Sequence, residues 1–150
     1  MTTQMRILLV EDSLQDVELI LSALDQLASD VLAVPDGAEA LDYLYRRGRF
    51  QGRETGHPAV VLLDLKLPKV SGLDVLRQLK SDAELRRIPV VMLTSSREEQ
   101  DLMASYNLGV NAFVVKSVDF EEFCRAIREL GLFWLEVNEP PPSTMRPVGR

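Results

Sequence analysis

Five apolar segments of strand length recur along the chain. Two of them, residues 59–64 (AVVLLD) and 88–94 (IPVVMLT), are apolar almost throughout rather than at every second position. Continuous apolar runs are typical of central strands in a parallel sheet, because both faces of such strands are covered. The other three strand segments are residues 5–10 (MRILLV), 30–34 (DVLAV) and 111–116 (NAFVVK).

The segments between the strands carry apolar residues at three- and four-residue spacing, which predicts helices with one buried face. The predicted inward positions are Leu14, Val17, Leu21 and Leu24 in the first helix, Ala40, Leu41 and Leu44 in the second, Leu73, Leu76 and Leu79 in the third, and Phe120, Phe123, Ala126, Ile127 and Leu130 in the fifth. The second helix is predicted over about 37–47, with Asp36 as its cap and Gly48 as its stop, and the fourth over about 97–108. Strands and helices therefore alternate, which predicts a doubly wound α/β domain with right-handed crossovers.

The composition changes near the end of the chain. We expect a (βα)5 domain over residues 1–135 and a Pro-rich tail over residues 136–150, in which the segment 138–150 (NEPPPSTMRPVGR) cannot form a helix. The tail is predicted to be mobile past about residue 140. A long irregular loop is predicted at residues 46–58 (RRGRFQGRETGHP).

Charge and cysteine content narrow the possible partners and location. The net charge of −6 disfavours binding to nucleic acid or to an anionic membrane surface. Cys124 is the single cysteine, so the chain can form neither an intrachain disulfide nor a cysteine-based metal site. The amino-terminal sequence MTTQMR does not resemble a signal peptide, and no apolar run of about 18 residues occurs, so we expect a cytoplasmic protein.

Polar residues that could bind a ligand or take part in catalysis follow four of the five predicted strands. Glu11 and Asp12 follow the first strand, Asp64 ends the third, Thr94 ends the fourth and Lys116 ends the fifth. The carboxyl ends of parallel strands meet at one edge of the sheet, where ligands bind in open α/β folds. We therefore expect these side chains to converge although they are far apart in sequence.

The predicted cluster suits metal-assisted chemistry on a phosphoryl group. Three neighbouring carboxylates repel one another unless a cation lies between them, and oxygen ligands of this kind favour Mg²⁺. Lys116 and the hydroxyl of Thr94 could bind the anionic oxygens of a phosphoryl group. Asp64 is the best candidate nucleophile because a buried strand fixes its position, and its product would be an aspartyl phosphate.

Four motifs resemble the receiver domain of two-component response regulators. They are LLVEDS (8–13), LLDLKLPKVSG (62–72), VVMLTSS (90–96) and VVK (114–116). Their joint spacing makes the resemblance specific, and it covers roughly residues 5–130. The resemblance implies a flavodoxin-like fold with a five-stranded parallel sheet in the order 2-1-3-4-5.

The resemblance also implies a role for each site residue. Asp64 would accept the phosphoryl group from a sensor histidine kinase in a phosphorelay, and the protein would catalyse only its own phosphotransfer and autodephosphorylation. The remaining implied roles are Mg²⁺ binding by Glu11, Asp12, Asp64 and the backbone carbonyl of Lys66, a switch hydroxyl at Thr94, a phosphate-pairing ammonium at Lys116, and a switch aromatic at Phe113. Phosphorylation would then remodel the face formed by helix 4, strand 5 and helix 5.

Further features are similar to the small stand-alone response regulators paired with bacterial phytochromes. These features are the loop at 46–58, the VDF sequence after Lys116 and the ending GLFWLEVNEPPP (131–142). The similarity implies a phytochrome-type histidine kinase as partner. It also implies a homodimer formed through helix 4, strand 5 and helix 5.

One departure from the receiver pattern follows Lys116. The family usually has a lysine–proline pair with a cis peptide, whereas this chain has Ser117. A cis peptide before a residue other than proline costs about 2.5–4 kcal/mol, so the bond is expected to be trans, or cis and strained. Ser117 leaves open an alternative function, an unphosphorylated pseudo-receiver that acts as a protein-interaction module.

Two other classes of protein fit the residues less well. A phosphatase of the haloacid dehalogenase type needs a second acid two residues after the nucleophile, where this chain has Lys66. A flavodoxin-type flavin carrier needs a phosphate-binding loop after the first strand, where this chain has Glu11 and Asp12.

Overall fold

The sheet has the predicted strands in the predicted order. A computed structural model describes the backbone of residues 5–145 and the side chains in that range other than those of residues 26, 28 and 29. The strands are β1 (Ile7–Val10), β2 (Val31–Val34), β3 (Val60–Leu63), β4 (Val90–Thr94) and β5 (Ala112–Val115). They are all parallel in the order β2-β1-β3-β4-β5, so the flavodoxin-like prediction is confirmed.

Five helices connect and follow the strands. They are α1 (Leu14–Leu24), α2 (Gly37–Tyr45), α3 (Gly72–Ser81), α4 (Glu99–Asn107) and α5 (Phe120–Leu132), with a π-helical turn at Phe133–Val137. Short 3₁₀ helices lie at Asp25–Asp30, Gly48–Phe50 and Leu85–Arg87. In the described range of 5–145, no helix combines the length and the apolar character needed to cross a bilayer.

Polar side chains determine where four of these helices begin. Each capping side chain accepts a hydrogen bond from the backbone N–H three residues later. This bond satisfies an N–H group that has no partner within the helix. The capping residues are Ser13, Asp36, Ser71 and Asp119. The cap at Asp36 is as predicted, but α2 ends at Tyr45 because Arg46 adopts the left-handed conformation before Gly48 is reached.

Two apolar clusters pack on opposite faces of the sheet, which explains the continuous apolar runs. In β1, Leu8 and Val10 face the cluster formed with α2 and α3, whereas Ile7 and Leu9 face the cluster formed with α1 and α5. All residues of β3 and β4 are buried. The prediction that the third and fourth strands are covered on both faces is confirmed.

Two residues predicted to face inward are instead exposed. Leu14 is 80% exposed and Phe120 is 62% exposed. Each is the first residue of its helix and lies just past the end of a strand, so the sheet does not extend far enough to cover it. The buried positions of α1 are Ile20, Ala23 and Leu24.

The start of the Pro-rich tail packs on the domain, so the expectation of mobility past residue 140 is wrong for residues 141–145. The backbone N–H of His57 donates to the Ser143 carbonyl at 3.0 Å, and the N–H of Met145 donates to the His57 carbonyl at 2.8 Å. Proline prevents a helix here but leaves these other backbone groups free to form a bridge. Residues 146–150, like residues 1–4, lie outside the described residues, and the domain boundary at 135 stays a prediction.

Close contact between α3 and the end of β3 requires a glycine. The N–H of Gly72 donates to the Leu65 carbonyl at 2.9 Å. A Cβ atom at residue 72 would collide with the Asp64 carbonyl and would lie 2.8 Å from the Leu65 Cα. Gly72 therefore allows the first turn of α3 to support the loop that follows Asp64.

We predict that Gly72→Ala lowers the free energy of unfolding by about 1–3 kcal/mol, because the new methyl group meets rigid backbone. Urea denaturation of the two proteins measures the difference. Gly52→Ala is the matched control, since a Cβ at residue 52 has no heavy atom within 4 Å. Equal losses of stability in both variants would contradict the proposed close contact.

Candidate functional site

Three carboxylates converge at the carboxyl edge of the sheet. Because Val10 is paired with Leu63 in the register of β1 and β3, the residues that follow, Glu11 and Asp64, emerge side by side. The N–H of Asp64 donates to the Val10 carbonyl at 3.0 Å and continues the ladder by one step. One carboxylate oxygen from each of Glu11, Asp12 and Asp64 lies within 4.8 Å of the others.

These three acids differ in their access to solvent. Glu11 is 3% exposed and Asp64 is 9% exposed, whereas Asp12 is exposed. The cluster is therefore closed on the side of the sheet and open on the side of Asp12. A small ion or a phosphoryl group could reach it from that side.

Burial disfavours the ionised forms of the two inner acids. It raises the pKa of Asp64 above its ordinary value, and the charge of Lys116 with the N–H groups of Leu65 and Lys66 only partly offsets this. Burial also raises the pKa of Glu11, and repulsion from Asp64 adds to the increase. Both carboxylates would therefore be stabilised by a nearby positive charge.

The donor set fits a divalent metal ion. The three side chains offer only oxygen atoms, which suits hard cations that bind carboxylates and keep some of their water. Among the side chains described in the structure, they form the one group of three or more acids, histidines or cysteines close enough to share an ion. The predicted metal ligands Glu11, Asp12 and Asp64 are thus brought together.

Lys116 enters the cluster from β5 but does not contact Asp64 most closely. Its Nζ atom donates to Glu11 Oε2 at 2.7 Å and to Asp16 Oδ2 at 2.8 Å, whereas Asp64 Oδ2 is 3.8 Å away. Burial lowers the pKa of Lys116, but the bonds to Asp16 and Glu11 outweigh this and leave the pKa above its ordinary value. The ammonium group therefore remains charged among three carboxylates.

The peptide between Lys116 and Ser117 is trans, as are all others within residues 5–145. The Lys116 N–H donates to the Thr94 carbonyl at 2.7 Å, which attaches this part of the chain to β4. Serine in place of proline therefore does not keep the ammonium out of the cluster. The ammonium group of Lys116 hydrogen-bonds to Glu11 and Asp16.

Thr94 and Phe113 occupy neighbouring strands beside the acids. Thr94 is buried at the end of β4, and its Oγ1 accepts a hydrogen bond from the Ser96 N–H at 3.2 Å. Phe113 is half-buried, pairs with Met92 across the two strands and packs against the α2–α3 cluster. Their coupled switching, like the metal-binding role of the Lys66 carbonyl, stays a prediction.

Asp16 is a site residue that the sequence analysis missed. It lies in the first turn of α1, where its N–H donates to the Ser13 hydroxyl at 3.2 Å and its carboxylate accepts from Lys116. The available signal was an acid one helical turn after Asp12, on a helix that begins at the site edge. That pattern is also expected of any acid that stabilises a helix start.

Comparison with known proteins identifies the family. A sequence model described as the response regulator receiver domain matches residues 7–128. The chain belongs to the response regulator receiver family. Its members include response regulator Rcp1 of Synechocystis sp., which is 39% identical over 139 residues, 91% of this chain and 93% of the relative.

Solved structures of response regulators have the same fold. The Mn²⁺-bound form of Rcp1 has a TM-score of 0.82 and 37% identity, covering 90% of this chain and 97% of that one. The phosphorylated cyanobacterial phytochrome response regulator RcpA has a TM-score of 0.85 and 38% identity, covering 92% and 99%. The bacteriophytochrome response regulator RtBRR has a TM-score of 0.74 and 60% identity, covering 95% and 87%. These similarities confirm the receiver fold and the similarity to phytochrome response regulators.

We predict that Asp64→Asn raises the Tm of the metal-free protein at neutral pH, because it removes a carboxylate whose ionised form is disfavoured by burial. The pKa of Asp64 is higher in the folded protein than in the unfolded protein. Its contribution to the free energy of unfolding is therefore fully present below the unfolded-state pKa and is lost as pH rises through the folded-state pKa. The gain in the variant should therefore shrink as pH falls. Thermal unfolding at several pH values measures it.

Glu18→Gln is the charge-matched control, because Glu18 is an exposed acid on α1 outside the cluster. It should leave Tm nearly unchanged across the same pH range. Millimolar Mg²⁺ should raise the Tm of the wild-type protein and of this control but not that of Asp64→Asn. A destabilised Asp64→Asn protein would show that the carboxylate is favourable without metal.

Proposed function

We propose that this protein is a phosphoryl-accepting switch, in which Asp64 receives the phosphoryl group from a sensor histidine kinase in a Mg²⁺-dependent phosphorelay. The observation that carries the proposal is the position of the almost buried Asp64 carboxylate, which lies within 4.8 Å of two further acids and 3.8 Å from an ammonium group. Membership of the receiver family supports the same role.

In the transfer step, one Asp64 oxygen forms a bond to phosphorus while the phosphorus–nitrogen bond of the phosphohistidine breaks. The leaving nitrogen keeps the electron pair of that bond, and a proton already on the other ring nitrogen makes the departing imidazole neutral. Bound Mg²⁺ would neutralise the carboxylates and the phosphoryl oxygens, with Glu11, Asp12, Asp64 and the Lys66 carbonyl as its ligands. Lys116 would pair with a phosphoryl oxygen.

The signal would then leave the site through Thr94 and Phe113. The Thr94 hydroxyl would donate to a phosphoryl oxygen instead of only accepting from Ser96, and Phe113 on the next strand would change its rotamer. Such a local change can shift a two-state equilibrium of the α4–β5–α5 face. Hydrolysis of the aspartyl phosphate, in which water attacks phosphorus and the Asp64 oxygen leaves with the electron pair, would reset the switch.

A phytochrome-type histidine kinase is the proposed donor. The names of RcpA and RtBRR describe those proteins as phytochrome and bacteriophytochrome response regulators. Three exposed apolar side chains, Leu14, Val118 and Phe120, lie on the segments that follow β1 and β5, at the edge of the sheet that holds the carboxylates. An apolar surface next to Asp64 would suit a docked kinase domain. A cytoplasmic location stays a prediction.

A pseudo-receiver is the second candidate, and the contacts of Lys116 favour it. Both short hydrogen bonds of the ammonium group go to Glu11 and Asp16, and the peptide that follows is trans. If Lys116 could not leave these partners, the phosphoryl group would lack its positive counter-charge. The protein would then act only through its unmodified surface.

Acetyl phosphate separates the two candidates. We predict that the wild-type protein with Mg²⁺ gains the mass of one phosphoryl group, because Asp64 displaces acetate from phosphorus. Intact-mass spectrometry measures the adduct, and neither Asp64→Asn nor metal-free protein should form it. Absence of the adduct, together with no binding of beryllofluoride, would reject the switch in favour of the pseudo-receiver.

We further propose a homodimer through α4, β5 and α5. The support is an exposed apolar group on α4, formed by Leu102, Met103 and Tyr106. Apolar side chains clustered on one exposed helix are a common feature of protein interfaces. Helix α4 also begins just after Thr94 and Ser96, so the surface is near the proposed switch.

We predict that Met103→Glu weakens the dimer at least tenfold, because a charge would be buried in the interface. Light scattering at tens of micromolar protein should give twice the monomer mass for the wild-type protein. Gln78→Glu adds the same charge at an exposed site on α3 and should leave that mass unchanged. A monomeric wild-type protein, with and without beryllofluoride, would rule out the proposed dimer.

A further inference from the structure

Among the side chains that the structure describes, Asp16 is the one carboxylate hydrogen-bonded to Lys116 that lies outside the group of three acids. Glu11 also accepts from Lys116, but it belongs to the three acids that fit a cation. The Asp16 side chain is 33% exposed, against 2% for that of Glu11. Water can therefore solvate Asp16 when it loses the ammonium group, whereas it cannot solvate Glu11 to the same extent.

The first turn of α1 holds Asp16 in this position. Its N–H donates to the Ser13 hydroxyl, and the N–H of Val17 donates to the Ser13 carbonyl at 2.9 Å. These bonds close the first turn at the end of β1, and α1 packs closely along α5. The Asp16 carboxylate is thereby directed to the end of β5 and reaches Lys116 at 2.8 Å.

We propose that Asp16 is a positioning residue that holds the Lys116 ammonium group away from Asp64 before phosphorylation and competes with the phosphoryl group for it. The inference rests on the proposed phosphoryl-accepting function. The distances carry it: Lys116 Nζ lies 2.8 Å from Asp16 and 3.8 Å from Asp64. When a phosphoryl group occupies Asp64, Lys116 exchanges Asp16 for a phosphoryl oxygen.

The charges make this exchange favourable only in the phosphorylated state. A phosphoryl group brings about −1.5 to −2 charges and three acceptor oxygens, more than the single charge of Asp16. Before phosphorylation, the bond to Asp16 keeps the ammonium from pairing fully with Asp64, whose carboxylate must stay nucleophilic. Asp16 thus adds a cost to the active state that the phosphoryl group has to overcome.

The direction of the effect distinguishes competition from simple support of Lys116. If Asp16 competes, its neutralisation frees the ammonium group and strengthens binding of a phosphoryl mimic. If Asp16 only anchors Lys116 in a useful place, its neutralisation weakens that binding. A partly exposed ion pair contributes up to about 1 kcal/mol, which corresponds to at most about 5-fold in affinity.

The experiment compares Asp16→Asn with wild-type protein by titrating beryllofluoride in the presence of Mg²⁺ and measuring the dissociation constant calorimetrically. We expect a 2- to 5-fold tighter constant in Asp16→Asn and a wild-type constant in Asp16→Glu, which restores the charge. Glu18→Gln removes the same charge from an exposed position of α1 and should have no effect.

Two further measurements test whether Asp16 acts through Lys116. In a Lys116→Met background, Asp16→Asn should no longer change the beryllofluoride affinity, as a double-mutant cycle requires. In metal-free protein, the ¹⁵Nζ resonance of Lys116 should move in Asp16→Asn and stay in place in Glu18→Gln. Asp16→Asn keeps the backbone N–H that Ser13 accepts, and thermal unfolding checks that α1 remains folded.

The outcomes separate this inference from the function on which it rests. Wild-type protein that binds beryllofluoride while Asp16→Asn binds it equally or more weakly would overturn the role of Asp16 and leave the switch intact. An unshifted Lys116 resonance in Asp16→Asn would also overturn it. Wild-type protein that neither binds beryllofluoride nor forms the acetyl phosphate adduct would overturn both.

Discussion

The site depends on the pairing of β1 with β3. Both strands are buried on both faces, and their register places Val10 opposite Leu63, so that the next residues, Glu11 and Asp64, emerge as neighbours. A slip of one residue would move every side chain of the strand into the other apolar cluster, where its shape would not match the close packing. Apolar packing therefore holds together two acids whose charges repel each other.

The closeness of Glu11 and Asp64 makes their ionised forms unfavourable in the metal-free protein. The pKa values of Glu11 and Asp64 are raised by burial, and one ammonium group, that of Lys116, lies among the acids. Lys116 hydrogen-bonds most closely to Glu11 and Asp16, so Asp64 is the least compensated of its three neighbours. A bound cation would therefore stabilise the proposed nucleophile, which has no hydrogen bond to the ammonium group.

The sequence was sufficient to predict what depends on apolar pattern and chain order. The strands, the helix cap at Asp36, and the meeting of Glu11, Asp12 and Asp64 follow from periodicity, cap chemistry and a parallel sheet. The strand order needed the family resemblance, because periodicity does not specify which strands are neighbours. The family identity was then confirmed by the match over residues 7–128.

The sequence could not predict which of several chemically similar groups a residue contacts. Lys116 has acids on three sides, and only the geometry of α1 decides that Asp16 is one of its close partners. The bridge between His57 and residues 143–145 depends on backbone groups, which any sequence supplies equally. Proline content excludes a helix in the tail, but it does not exclude an extended segment that packs on the domain.

The incorrect burial predictions carry functional information. Periodicity assumes that an apolar residue in the stripe of a helix is covered by its own domain, and for Leu14 and Phe120 it is not. Both residues begin helices at the edge that holds the carboxylates. A polar residue would be more favourable than an apolar one at such an exposed position unless the apolar side chain has a function. Exposed apolar side chains at this edge gain a physical explanation if a partner covers them during transfer.

The same argument does not extend to Met103 and Tyr106, because these lie on α4 and can be covered by a second surface while the site edge remains accessible. The two exposed apolar groups would therefore allow the proposed kinase and a second copy of this chain to bind at different places.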